Sequence, residues 1–196
     1  MLDRYQAHVP QVVDGEIAQS PLDQREYEAF KACLPIWRDV LTAKMLRSTG
    51  LRVMELLRLE ARHYDVSGPE FSILVRRSKR RTKRGGDYER VYLPPGLGVE
   101  VRDYINGNQI GAESRVFSIT DRQVRYVFAS AGEKSISRPV HPHELRHLYV
   151  KTLIDGGVPV LAASKLVGHS VTSTTERWYY DLTAEQRRMI QERMPS

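Results

Sequence analysis

His143-Glu144-Leu145-Arg146-His147 (HELRH) has two incompatible readings. As H-E-x-x-H it is the helical metal-hydrolase pattern, in which histidines one turn apart hold zinc and the glutamate acts as general base. As H-x-x-R-H it places His143 and Arg146 at i and i+3 on one helix face, an anion-gripping pair, with Pro142 suited to the helix start. Zinc needs a third ligand and tolerates positive neighbours poorly, and Arg146, which cannot ligate, lies inside the motif. The extended zinc pattern demands glycine and histidine where the chain has Val150 and Leu153. A distant Glu176 is the third ligand that this reading would have to conscript. An oxyanion, by contrast, is met well by the planar, permanently charged fork of an arginine.

The whole chain leans the same way. Its 196 residues suit one domain with a full hydrophobic core, and 30 Lys and Arg against 24 Asp and Glu leave a net charge of +6. That surplus favours a polyanionic partner. The single cysteine, Cys33, excludes an internal disulfide framework, suits a reducing compartment, and is expected as a small core residue. No apolar run approaches a membrane span and the first residues lack the apolar stretch of a signal peptide. A soluble cytoplasmic or nucleoid protein with no membrane partner is expected.

Working outward, Met1 to Ser20 has little periodicity and reads as an arm or linker before a folded unit over 21–196. SPLDQREYEAFKACL reads as a helix capped by Ser20 with Pro21 at its first position. Trp37 to Leu59 carries apolar residues at helical spacing, broken at Ser48-Thr49-Gly50 into two helices. FSILVRRSK and YERVYLP flank RRTKRGGD as a β-hairpin with a basic, glycine-containing turn, and ARHYDV supplies a third strand. Helical patterns follow at about 120–132, 143–155, 161–167, 173–180 and 184–193. The fold class expected is α+β, predominantly α-helical with a small antiparallel three-stranded sheet.

Three further stretches surround HELRH in a definite order. STGLRVMELLRL puts Arg52 just after a Thr-Gly-Leu turn with Glu55 three residues on; the basic hairpin follows; KLVGHSVTSTTERWYYDL then supplies His169 and a tyrosine pair. This succession resembles the tyrosine recombinase, or phage integrase, family: T-G-L-R-x-x-E-L, a hairpin lysine, H-x-L-R-H, and L-G-H followed by T-T and a nucleophilic tyrosine. The likeness covers about residues 21–190 and implies that family's catalytic-domain fold.

What the resemblance implies is DNA strand breakage and rejoining, with no metal and no cofactor. A tyrosine attacks the scissile phosphate, leaving a 3′-phosphotyrosyl bond and a free 5′-hydroxyl that later reverses the step, in integration, excision or resolution. Arg52 and Arg146 would grip the non-bridging oxygens, His143 would donate to the phosphate or accept the tyrosine's proton, and His169 would add a hydrogen bond. Glu55 would orient Arg52. The general acid would be a hairpin lysine: counting from the strand selects Lys79, which is preferred, whereas reading TKRGG as the usual turn selects Lys83, and both share one strand parity. Arg76, Arg77, Arg80, Arg81 and Arg84 are expected to contact the DNA backbone. Partners are double-stranded DNA and further copies of the chain on paired sites, a tetramer in synapsis.

The chain departs from the pattern at two points. The usual nucleophile lies nine residues after the L-G-H histidine, where Trp178 stands; Tyr179 at ten is the expected nucleophile and Tyr180 the alternative. At the front, the twenty or so residues before the first helix are too few for the family's upstream DNA-clamping domain, so a catalytic domain alone is expected. A terminal helix over about 184–193, with apolar positions at Met189, Ile190 and Met194, would dock on a neighbouring copy, as the resemblance implies, or else fold back on its own domain. Alternatives are a non-catalytic DNA-binding relic of the fold and type IB topoisomerase-like relaxation.

Overall fold

α1 (Gln24–Ala32) begins where Asp23 closes a reciprocal cap: its carboxylate accepts from the Glu26 N–H at 2.8 Å while Glu26 accepts from the Asp23 N–H at 3.0 Å. The helix therefore starts three residues beyond the Ser20–Pro21 start expected from sequence. A computed structural model describes residues 12–13, 16–17, 22–68, 70–76 and 88–167. Within the arm, Val12–Val13 (β1) and Glu16–Ile17 (β2) form a two-residue antiparallel ribbon, which the aperiodic sequence did not signal. Cys33 is exposed, contrary to expectation. It caps the end of α1, where its N–H bonds back to Phe30 and Lys31, and the buried positions on either side are taken by Phe30 and Leu34.

The Trp37–Leu59 stretch does divide in two. α2 (Trp37–Thr49) stops at Gly50, whose φ of 61° is the left-handed conformation that glycine supplies cheaply, and α3 (Val53–Leu57) follows. A Cβ on Gly50 would lie 2.4 Å from Tyr149 Cδ1 and 2.9 Å from Val167 Cγ1, so the turn is also packed too tightly for a side chain. After a 3₁₀ turn at Ala61–His63 the chain enters the sheet: β3 (Tyr64–Asp65), β4 (Ser72–Arg76) and β5 (Tyr88–Tyr92), antiparallel in that order. Tyr64 pairs with Ile73, and Ile73 and Val75 pair with Val91 and Glu89.

α4 (Pro95–Gly107) was not foreseen, because its two early glycines and valines weaken the helical signal. Tertiary packing decides it: Leu97 and Val101 are buried one turn apart, and Gly98 lies so close to Phe71 that a Cβ would sit 2.1 Å from the ring. α5 (Asp121–Ile136) is capped by Thr120 and runs a turn past the expected end; α6 (Pro142–Asp155) and α7 (Val160–Leu166) fall within a residue of expectation. The helical patterns at 173–180 and 184–193 lie outside the described residues.

α1 packs on α5 and α2 on α6 around one core. Phe30 and Phe128 meet edge to face, ring centroids 5.1 Å apart, at the α1–α5 contact. Arg47 of α2 ties the outer helices by donating to Gln24 Oε1 at 3.0 Å and Thr152 Oγ1 at 2.8 Å. Among the described residues no helix is long and apolar enough to cross a membrane.

Candidate active site

The αL turn at Gly50 reverses the chain between α2 and α3, and buried Leu51 anchors it, so Arg52 emerges at the N-cap of α3 in extended conformation (φ −72°, ψ 147°). Glu55, one turn on and buried, fixes that arginine twice: one carboxylate oxygen accepts the Arg52 backbone N–H at 3.0 Å and the other lies 3.1 Å from a terminal guanidinium nitrogen. Burying a carboxylate is costly unless charge and hydrogen bonds compensate, and Arg52 supplies one of each. Glu55 is thus no surface helix residue, and its geometry is that of an orienting group for Arg52.

α6 supplies the second half. Pro142 occupies its first turn and Glu144 Oε1 accepts the His141 N–H at 2.8 Å, closing the helix start. His143 is accessible at the surface, its ring 4.8 Å from that of His147 in an edge-on arrangement. Arg146 faces inward and is 1% exposed. Its two terminal nitrogens donate to the backbone carbonyls of Gly50 and Val167, so the plane of the guanidinium is set by the α2–α3 turn and by the end of α7. The carboxylate that the metal-hydrolase reading would use as base is engaged elsewhere: Glu144 pairs with Arg138 at 2.7 Å, and Arg138 also reaches Glu26 at 3.2 Å. Among the described residues no three His, Cys, Asp or Glu side chains are grouped to hold a metal ion.

The electrostatics show that these pieces share one locality. The His143 pKa is held below its ordinary 6.5, first by partial desolvation and then by the positive charges of Arg146, Arg52 and Arg125. Its imidazole is therefore neutral at pH 7 and faces the field of three guanidinium groups. Two of these were expected from sequence. Arg125, on α5 and paired with Asp121 at 2.9 Å, was not. The only sequence signal was an arginine in the second turn of an expected helix, and nothing in its spacing pointed to His143.

Arg76 ends β4 in an exposed position. Lys79, Lys83, Arg77, Arg80, Arg81, Arg84, His169, Tyr179 and Tyr180 lie outside the described residues. The structure thus brings together Arg52, Glu55, His143 and Arg146, with Arg125 beside them.

A mostly helical α+β domain with a three-stranded antiparallel sheet and this arginine–histidine grouping is the catalytic-domain fold of tyrosine recombinases. Residues 21–186 match the phage integrase family, and the chain belongs to it. Among similar proteins, tyrosine recombinase XerC of Staphylococcus saprophyticus is 27% identical over 186 residues, covering 93% of this chain and 61% of that protein. Tyrosine recombinase XerA of Thermococcus kodakarensis is 32% identical over 164 residues, covering 80% of this chain and 55% of that protein. The chain therefore spans between half and two thirds of these relatives' length. The crystal structure of XerH site-specific recombinase bound to its difH substrate, in a pre-cleavage complex, shares the fold. The TM-score is 0.70 at 15% identity, over 97% of this chain and 59% of that one.

Proposed function

We propose that the chain breaks and rejoins double-stranded DNA at specific sites through a 3′-phosphotyrosyl intermediate, with residues 21–196 as the catalytic unit behind a short arm. The observation that carries this reading is that Arg146 is pinned to the Gly50 carbonyl of the very turn that presents Arg52, with Glu55 buried against Arg52 and His143 one turn before Arg146 on α6. The names of the relatives, tyrosine recombinases all, support it.

Phosphodiester cleavage is among the slowest of uncatalysed reactions, so most of the acceleration must come from stabilising charge on a pentacoordinate phosphorane. Fixed guanidinium groups suit that task because they are charged at every relevant pH and need no reorganisation once pinned. In this reading Arg52, held by Glu55, binds a non-bridging oxygen directly. Arg146, held by two carbonyls, acts on the phosphate from beneath, where a low dielectric strengthens its field. Neutral His143 accepts the proton of the attacking tyrosine and returns it on religation. His169 adds a hydrogen bond to the phosphate, Lys79 protonates the departing 5′-oxygen, with Lys83 the alternative, and Tyr179, or failing that Tyr180, is the nucleophile. Each tyrosine–phosphate bond made releases one 5′-hydroxyl, so the bond count is conserved and no external energy is required. Strand exchange would bring four copies together on two paired sites.

The test is incubation of the full chain with a nicked suicide duplex carrying a recombination site, in the presence of a chelator. A detergent-resistant protein–DNA adduct is expected. Salt-sensitive DNA binding with no adduct on any such substrate would leave a DNA-binding relic of the fold and overturn the catalytic reading.

A further inference from the structure

The sheet has an outer face that the catalytic reading does not use. Alternate residues of a strand share a face, and directly paired residues project to the same side. Ile73 and Val75 of β4 point into the core, so Ser72, Leu74 and Arg76 point outward, and their partners Tyr92, Arg90 and Tyr88 on β5 point with them. These are no buried remnants: Tyr88 is 54% exposed, Tyr92 61%, Leu74 39% and the Arg90 side chain 53%. β5 thus displays Tyr-Arg-Tyr in a row beside Leu74 and Arg76.

Arg90 is held ready across this face. It donates to Ser72 Oγ at 2.9 Å and pairs with Asp65 Oδ2 of β3 at 3.3 Å. An exposed pair of this kind contributes little, so an incoming anion can compete for the guanidinium at small cost. Ser72 keeps the arginine's direction meanwhile. Asp65 is the one acid that the described strand register places on this face; Glu89 lies on the other side, opposite Val75.

We infer that this outer sheet face, with Arg90, Tyr88 and Tyr92 at its centre, is a second contact for duplex DNA and binds the phosphate backbone flanking the cleavage site. Charge complementarity selects the occupant. The two strands are joined in sequence by residues 77–87, which carry six cations, Arg77, Lys79, Arg80, Arg81, Lys83 and Arg84, against the single Asp87. Arg76, the residue just before that connection in sequence, and Arg90, three residues after it, extend the same charge onto the described face. The tyrosine hydroxyls offer neutral donors to phosphate oxygens, and contacts of this kind position a duplex without reading its sequence. The inference rests on the DNA-acting function proposed above.

Duplex binding by the full chain, by two loss variants and by one charge-keeping control separates the outcomes. Arg90→Gln should lower the slope of log K against log salt by about 0.9, from a wild-type slope near −5 for about six neutralised phosphates. Tyr88→Ala/Tyr92→Ala should weaken binding severalfold at unchanged slope. Both losses should appear on long duplexes, be independent of sequence, and vanish on duplexes too short to extend past the cleavage site. Arg90→Lys, which keeps the charge, should restore the slope, separating a phosphate contact from damage to the sheet. Wild-type binding by both variants on long duplexes would overturn the proposal while leaving the recombinase reading intact. Unchanged DNA binding with lost self-association in sedimentation would assign the face to a contact between copies and equally overturn it. Salt-independent duplex binding by the wild type would remove both readings together.

Discussion

Glu55 holds Arg52 at two points, accepting its backbone N–H at 3.0 Å and lying 3.1 Å from its guanidinium. The carboxylate therefore sets both where α3 begins and where the arginine aims. Glu55→Gln keeps the shape and a hydrogen bond but removes the charge. DNA cleavage should fall by roughly 10–100-fold, the range in which loss of an orienting partner is felt at reacting centres, while DNA affinity stays near wild type. Single-turnover cleavage against equilibrium binding distinguishes the two; equal losses in both would make Glu55 a structural residue only.

Arg52 and Arg146 should separate in stability although both are proposed to serve cleavage. Arg146→Ala leaves the buried carbonyls of Gly50 and Val167 without their donor, at about 1–3 kcal/mol for each group left unsatisfied. Arg52 is partly exposed, so Arg52→Ala should cost far less. Lysine cannot span two carbonyls as a planar fork does, so Arg146→Lys should also lower the melting temperature. Denaturation of the three variants checks this, and an Arg146→Ala protein as stable as wild type would contradict it.

The turn before Arg52 makes a further demand. Gly50→Ala combines a left-handed backbone, at about 1–2 kcal/mol, with a Cβ driven into Tyr149 and Val167, at about 1–3 kcal/mol. A domain of this size should lose roughly 5–15 °C in melting temperature, and the variant that still folds should cleave poorly because Arg52 is re-aimed. An unchanged melting curve would refute the packing argument.

His143 should be neutral at pH 7, with its pKa below 6.5. Folding depresses this pKa, so the unfolded chain takes up the proton first as pH falls. The contribution to stability is whole above about 6.5 and is lost as pH drops through the folded value. The acidic limb of the cleavage profile should lie below 6.5 for the same reason, since in the proposed mechanism the neutral ring is the form that accepts the tyrosine's proton. Arg125→Ala removes one of the three opposing charges and should move the His143 resonance titration upward. A wild-type His143 titrating at or above 6.5 would contradict the convergence of charges on which the site rests.

Much of this was legible in the chain because it depends on local chemistry. The Gly50 break, the β4–β5 hairpin and the α6 start each follow from a glycine, an alternation or a proline that acts within a few residues. What escaped depends on contacts between distant segments. α4 forms against its own weak propensity because Leu97 and Val101 are buried and Gly98 meets Phe71. Cys33 is exposed because it falls at a helix end, which composition does not locate. The motif singled out Arg52, Glu55, His143 and Arg146 as candidates, but the charge of Arg125 bears on His143 only because α5 packs on α6, and the inward pinning of Arg146 is likewise invisible until Gly50 and Val167 are brought to it.

The most direct measurement is peptide mapping of the trapped protein–DNA adduct, together with the adduct yield of Tyr179→Phe. Removing one oxygen abolishes the nucleophile and leaves the aromatic ring intact, so folding and DNA binding should survive. The account predicts DNA attached to Tyr179 and no adduct from Tyr179→Phe; attachment to Tyr180 would keep the chemistry and move the register by one. Wild-type cleavage by the Tyr179→Phe/Tyr180→Phe double variant would contradict the phosphotyrosyl mechanism itself.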